Sequence, residues 1–249
     1  MNNSIYIPEH IKGILDQVQC SCELISVLEE TISRSVVEGF IPLVYLNHMS
    51  EICIQTTPLE SQIADYAYIA ISHIWADSLG NPMANTIHLY QAKLLQERVD
   101  ALATQQMRKL GLPPLTSKVP FWMDTLCVPA TDGPSKVLAI ASIEKLYKTM
   151  AVLVLDRDLT SMKDLSDIER AVRIAASPWW TRLWTVQEGA FAKELYFQFQ
   201  DRAVLPRALH SSSGQEPQQT TENEWITRLL VRDALSGIIE LPVGHKHRS

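Results

Sequence analysis

The chain has 249 residues, 46% of them hydrophobic and 20% charged, with a formal net charge of −6. That composition fits a globular chain of one domain with additions, long enough to bury a sizeable core, and its acidic balance excludes the broad basic face of a nucleic-acid binder. Four cysteines are too few for a disulfide-stapled secreted scaffold, the opening MNNSIYIPEH lacks a basic-then-apolar leader, and no apolar run approaches the ~20 residues of a membrane span, so a reduced, cytoplasmic protein is expected.

In chain order, residues 9–38 carry apolar side chains at helical spacing between Pro8 and Gly39, and a helix is expected there. The run IPLVYL, 41–46, reads as a strand or a buried extended piece. YAYIAIS, 66–72, is apolar on both faces, as in a strand covered on both sides. Residues 85–110 read as a long helix closed by Gly111. FWMDTLCV, 121–128, reads as a strand, PSKVLAIASIEKLYKTM as a helix with proline at its start, and AVLVLD, 151–156, as a strand. Two helices, DLSDIERAVRIAAS and WWTRLWTVQEGAFAK, precede the alternating strand ELYFQFQD, 194–201. The polar stretch SSSGQEPQQTTENE reads as a loop before a last helix, WITRLLVRDALSGIIEL. This succession predicts an α/β fold: a mostly parallel sheet with helices on both faces, preceded by an N-terminal helical extension over 1–64, with the main domain over 65–203 and a polar loop, helix and tail over 204–249.

Ligands of parallel α/β sheets bind beyond the carboxyl ends of the strands. Those ends carry Ser72, His73 and Trp75, then Asp124, Thr125 and Cys127, then Asp156. Glu188 follows Trp180 and Trp184 at intervals of four, which on one helix would align the three side chains. Each residue has a plainer reading. Ser72 and His73 can cap a turn, Asp124 can bind Arg182 or backbone amides, Cys127 can be a small buried hydrophobe, Asp156 can start a helix, and the tryptophans can be core. Lys136 and Arg157 read as solvated. The sequence has no glycine-rich phosphate loop, no nucleophile elbow, and only Cys20-Ser-Cys22 as a close cysteine pair, so no metal site is expected.

Four blocks in order, YAYIAISHIW, FWMDTLCVP, AIASIEKLYKTMAVLVLD and SPWWTRLWTVQEGAF, resemble the heterokaryon-incompatibility (HET) domain of filamentous fungi over roughly residues 66–201. The matching positions are Ser72, His73 and Trp75; Trp122, Asp124 and Cys127; Ala139, Ile140 and Asp156; and Trp179, Arg182, Trp184, Thr185, Gln187 and Glu188. Ala76 and Val128-Pro129 depart from the pattern. The resemblance implies a cell-death effector of fungal non-self recognition and a fold related to the flavodoxin-like Toll/interleukin-1 receptor (TIR) domain. Several TIR domains cleave NAD with a glutamate on the corresponding helix. That implies Glu188 as the catalytic carboxylate, with Ser72, His73, Trp75, Asp124, Arg182 and Trp184 binding substrate. NAD is then the substrate, with no cofactor required. Self-association and a protein partner carrying the recognition signal are expected. The alternative is a non-enzymatic signalling module that recruits partners.

Overall fold

The computed structural model describes residues 23–59, 68–113, 115–147 and 151–210. Strand β1 (Leu24–Ser26) is followed by helix α1 (Glu29–Val37) and strands β2 (Phe40–Leu46), β3 (Ile52–Pro58) and β4 (Ile69–His73). A 3₁₀ turn (Trp75–Asp77), β5 (Thr86–His88), the long helix α2 (Leu89–Lys109) and β6 (Phe121–Trp122) come next. Three helices follow: α3 (Asp124–Cys127), α4 (Pro134–Ala141) and α5 (Ile143–Tyr147). The remainder is β7 (Ala151–Leu155), α6 (Arg157–Thr160), α7 (Asp167–Ala175), a second 3₁₀ turn (Pro178–Thr181), α8 (Leu183–Phe191), β8 (Glu194–Gln198), β9 (Ala203–Val204) and α9 (Pro206–His210).

Among the described residues the main sheet has seven strands in the order β3-β2-β6-β4-β7-β8-β9. The four central strands are parallel: β4 pairs with β6 through Ile69↔Phe121 and Ala70↔Trp122, and with β7 from Ala70↔Val152 to His73↔Leu155, and β7 pairs with β8. The outer pairings, β3/β2, β2/β6 and β8/β9, are antiparallel. The sheet is therefore mixed, with a parallel centre. Every residue of IAISH in β4 and AVLVL in β7 is buried, the burial pattern of strands covered on both faces. The chain steps from β4 one way to β6, then back past β4 to β7 and on to β8. With crossovers of fixed hand, that reversal puts α2 on one face and the helices after β6 on the other.

Side-chain hydrogen bonds fix these layers. Gln96 of α2, buried, accepts from the Leu46 amide at 2.9 Å and donates to the Val119 carbonyl at 2.9 Å, tying α2 to β2 and to the segment before β6. On α5, the Leu146 carbonyl accepts from the Tyr68 hydroxyl at 2.7 Å, and the Tyr147 hydroxyl lies 3.3 Å from the Ile71 carbonyl. A buried amide or hydroxyl left unbonded costs about 1–3 kcal/mol, so these contacts specify position as well as adding stability.

Several expectations change. The single helix over 9–38 is not found in the described part. Leu24–Ser26 is a strand paired with β5, and helix begins only at Glu29; residues 1–22 lie outside the described residues. Nor is 1–64 an extension apart from the sheet, because β2 and β3 lengthen it. The strand expected over 121–128 ends at Trp122. Asp124 accepts from the Thr125 amide at 2.7 Å and the chain turns into α3, because a short polar side chain offers the backbone a local partner that competes with the ladder. The helix through 134–150 is two helices meeting at Ser142, with 148–150 outside the described residues. The tryptophan helix is also divided. Pro178–Thr181 is a 3₁₀ turn, Arg182 is extended at φ −105° and ψ 128°, and α8 starts after it. Trp180 and Glu188 therefore share no helix face. The expected final helix and tail fall in 211–249, outside the described residues.

Candidate functional site

The carboxyl ends of β4 and β6 open into a cavity of about 290 Å³. Its polar wall carries His73, Asp124, Thr185 and Glu188, with Lys136 and Arg182 also lining it. Trp75, Met83, Trp122, Ile140 and Ile143 are among its apolar lining residues. This is the position that parallel α/β topology favours, beside the strand where the order of connection reverses.

Glu188 sits on α8, which packs against β4 and α5. Its Oε2 accepts from the Ser72 hydroxyl, and the Tyr147 hydroxyl is a second hydrogen-bonding neighbour. Among the described residues no cation forms an ion pair with it. Burial raises its pKa to about 7, countered in part by the Ser72 hydrogen bond and reinforced by the nearby Asp124 carboxylate. Burial acts upward on Tyr147 as well, and with Glu188 and Asp124 it puts the phenol well above its ordinary range.

Asp124 begins α3 and faces His73. Its Oδ1 lies 2.9 Å from His73 Nε2, and its Oδ2 accepts from Trp75 Nε1 at 2.6 Å. Thr125 Oγ1 lies 3.1 Å from the same His73 nitrogen. Burial pushes Asp124 upward, but His73, the Trp75 N–H and the Thr125 amide outweigh it and hold the carboxyl at about 2. Burial likewise pushes His73 downward, but Asp124 foremost, with Glu188 and a backbone hydrogen bond at Ile74, outweighs that, so its pKa is raised. Asp124 and His73 thus each favour the charged form of the other. No ion pair engages Arg182 among the described residues, whereas Lys136 bonds Asp132 at 2.9 Å and the Ala130 carbonyl at 3.0 Å.

The expected site residues can now be placed. His73, Trp75, Asp124, Arg182 and Glu188 line one cavity. Ser72 is buried behind Glu188, reaching it by a hydrogen bond and not through the cavity. Trp184 lies on α8, but its side chain is outside the described residues. Asp124 binds backbone, indole and imidazole, and not Arg182. Asp156 starts α6 by accepting from the Asp158 amide at 2.8 Å, and Trp179 and Trp180 are core. Cys127 is buried and its thiol is pushed up by burial to about 12, so it fills space as a small hydrophobe and carries no thiolate at neutral pH. Sequence reasoning missed Lys136 and Tyr147. Lys136 followed a helix-starting Pro134-Ser135 and looked solvated, and Tyr147 stood in a helical run, between Leu146 and Lys148, with no motif to mark it.

Among the described residues no cluster of three or more His, Cys, Asp or Glu could hold a metal ion, and no helix is long and apolar enough to cross a membrane. Comparison of the chain with family models, with curated proteins and with solved structures found no match.

Proposed function

We propose that the chain is a HET-type domain of TIR-like architecture that acts as a cell-death effector by cleaving the nicotinamide–ribose bond of NAD, with Glu188 as the catalytic carboxylate. The observation that carries this reading is a carboxyl group with no ion-pair partner among the described residues, on the wall of a cavity it shares with a His–Asp pair and with Arg182, which likewise forms no ion pair among the described residues. A carboxylate that served only to fix the helix would be expected to have a cation, or to lie away from a cavity. The parallel strand order, second-first-third-fourth in chain sequence, is also that of flavodoxin-like sheets.

The chemistry follows from the charges. The glycosidic nitrogen of NAD is cationic, so when the C–N bond breaks the electron pair leaves with a neutral nicotinamide and needs no proton. The ribosyl fragment left behind is an oxocarbenium-like cation. Glu188, as the carboxylate, stabilises that cation in a poorly solvated wall where the interaction is strengthened. Water then adds to the carbon and its proton is released. Arg182 presents a planar fork to the pyrophosphate, and the ring of Trp75, more than half exposed at the mouth, offers a stacking face.

The test is nicotinamide release from NAD by concentrated purified protein, wild type beside Glu188→Gln and Glu188→Ala, with folding followed by circular dichroism. Turnover by wild type, reduced at least ~100-fold in folded mutants, is the expected result. No turnover by wild type, even when the protein is clustered, would remove the enzymatic reading.

A second reading, a non-enzymatic module that recruits partners, is favoured by one surface. On α7, Ile168 and Val172 lie one turn apart and are 80% and 61% exposed, while Arg170 and Ile174 face inward. An outward apolar pair of this kind suits a docking contact. Protein-partner capture and self-association belong to this reading.

A further inference from the structure

Trp179 is fully buried, yet its indole nitrogen is committed to one polar partner. Nε1–H donates to Ser72 Oγ at 2.7 Å. Ser72 Oγ in turn donates to Glu188 Oε2. A serine hydroxyl has one proton and can accept as well as donate. An indole N–H can only donate, so Ser72 must accept from it, and the hydroxyl proton is free to point at Glu188. The indole occupies one of the two lone pairs of the hydroxyl and so leaves it fewer ways to accept from a protonated glutamate. Glu188 Oε2 is the acceptor that the hydroxyl proton meets, so the indole, which cannot reverse, biases the order of donors toward indole to hydroxyl to carboxyl.

A second observation ties the same ring to the same helix. Gly189, next to Glu188, packs on Trp179 so closely that a Cβ there would lie 2.8 Å from its Cη2 and 3.3 Å from Leu195 Cδ2. Near the start of α8, the single proton of Thr185 Oγ1 is shared between the Trp179 carbonyl and the Arg182 carbonyl, the latter at 2.9 Å. Trp179 thus meets α8 at its third and seventh residues, Thr185 and Gly189, and meets β4 through Ser72.

We propose that Trp179 is a positioning residue which, through Ser72, directs a hydroxyl proton onto Glu188 and so holds it as a hydrogen-bond-accepting carboxylate facing the cavity. The catalytic consequence rests on the reading of Glu188 as the catalytic group; the proton ordering does not. The other titratable or charged groups around Glu188 are Asp124 on α3, His73 on β4, Tyr147 on α5, and Lys136 and Arg182 on the cavity lining. Asp124 opposes the carboxylate form, whereas His73 and Tyr147 favour it alongside Ser72.

The test follows Glu188 ionisation directly, by carbon-13 NMR of labelled glutamate side-chain carboxyls, with the signal assigned by its loss in Glu188→Gln. Ser72→Ala and Trp179→Phe should each raise the pKa of Glu188 by about one unit, as expected when a hydrogen bond to the charged form is removed. In the Ser72→Ala background, Trp179→Phe should add nothing further, because both act through one hydroxyl. If the enzymatic reading holds, each variant should lose about fivefold in nicotinamide release at pH 7 and regain it above pH 8, a recovery that a merely structural defect would not show. An unchanged Glu188 pKa in folded Ser72→Ala overturns the proposal, as does an additive Trp179→Phe effect; Ser72→Ala alone decides if Trp179→Phe does not fold. Shifted pKa values with no NAD cleavage by wild type would keep the proton ordering and reject the hydrolase reading instead.

Discussion

Glu188, Asp124 and His73 place opposite demands on stability. Glu188 rises from its ordinary 4.5 to about 7, so the folded state binds more protons than the unfolded chain between those values. Its contribution to stability is full below pH ~4.5 and is lost as pH rises through about 7, a change of roughly 3 kcal/mol. Asp124, held at about 2 instead of 3.8, contributes above its unfolded value and loses that contribution as pH falls toward 2. His73, raised, contributes below its unfolded value of 6.5 and loses that contribution as pH rises through its folded one. Replacing Glu188 by Gln should therefore leave stability little changed near pH 4.5 and increase it relative to wild type above pH 7. Denaturant melts of both proteins from pH 4.5 to 8 check this, and parallel pH curves would contradict a Glu188 carboxyl raised by burial.

At the scale of elements, the short helices around the site are positioned by single contacts more than by propensity. The helix α8 has a glycine in its last turn, a residue that costs about 1 kcal/mol against alanine in a helix interior. Here the glycine is required by packing: Gly189→Ala would gain that propensity but drive a methyl into the buried Trp179 ring. Overpacking of this kind costs about 1–3 kcal/mol, so the net expectation is a protein less stable than wild type, read from the unfolding midpoint. A more stable Gly189→Ala would mean that Trp179 yields easily, and would weaken its role in holding α8. In α7 the logic is inverted. Ser166 caps the helix with Glu169 in a reciprocal box, and Arg170 turns inward to a bidentate contact with Asp201 at 3.1 and 2.8 Å. That leaves the apolar pair Ile168 and Val172 outward.

At the scale of the whole molecule, one residue joins the small sheet to the cavity wall. Asn85, at φ 47°, donates to the Thr125 carbonyl at 3.0 Å and the Val128 carbonyl at 2.7 Å, and its Oδ1 accepts from the Ala130 amide at 3.0 Å. Asparagine tolerates this left-handed conformation better than most residues. Asn85→Ala would leave these groups without their partner and should cost about 2–4 kcal/mol. Because Val128 and Pro129 line the cavity, the Ala130 amide should also exchange with deuterium faster than the sheet amides. Retained protection at Ala130 would show that the wall is held independently of Asn85.

The alternation of strand and helix, the apolar β4 and β7, the long α2 and the helix α7 were legible in the sequence, because each is set by local periodicity and apolar runs. Ser72 and His73 lie at the end of β4 and Glu188 lies on a helix, as expected, whereas Asp124, expected within a strand, begins α3. The breaks at Trp122, Ser142 and Arg182 were not legible. Each depends on what the segment meets in space: His73 and Trp75 across from Asp124, and the sheet beneath α5 and α8. Lys136 and Tyr147 reached the site for the same reason, through the packing of α4 on α1 and α5 and the contact of Tyr147 with Ile71 of β4. By itself the sequence determined an α/β chain with polar groups at its strand ends. Only the tertiary structure decided that Glu188 would lie on the wall of a cavity with no ion-pair partner among the described residues, held by Ser72 and close to Trp179, 116 and 9 residues away in the chain. Hydrophobic pattern is a local property, whereas the desolvation and hydrogen bonding of a carboxyl depend on every element that surrounds it.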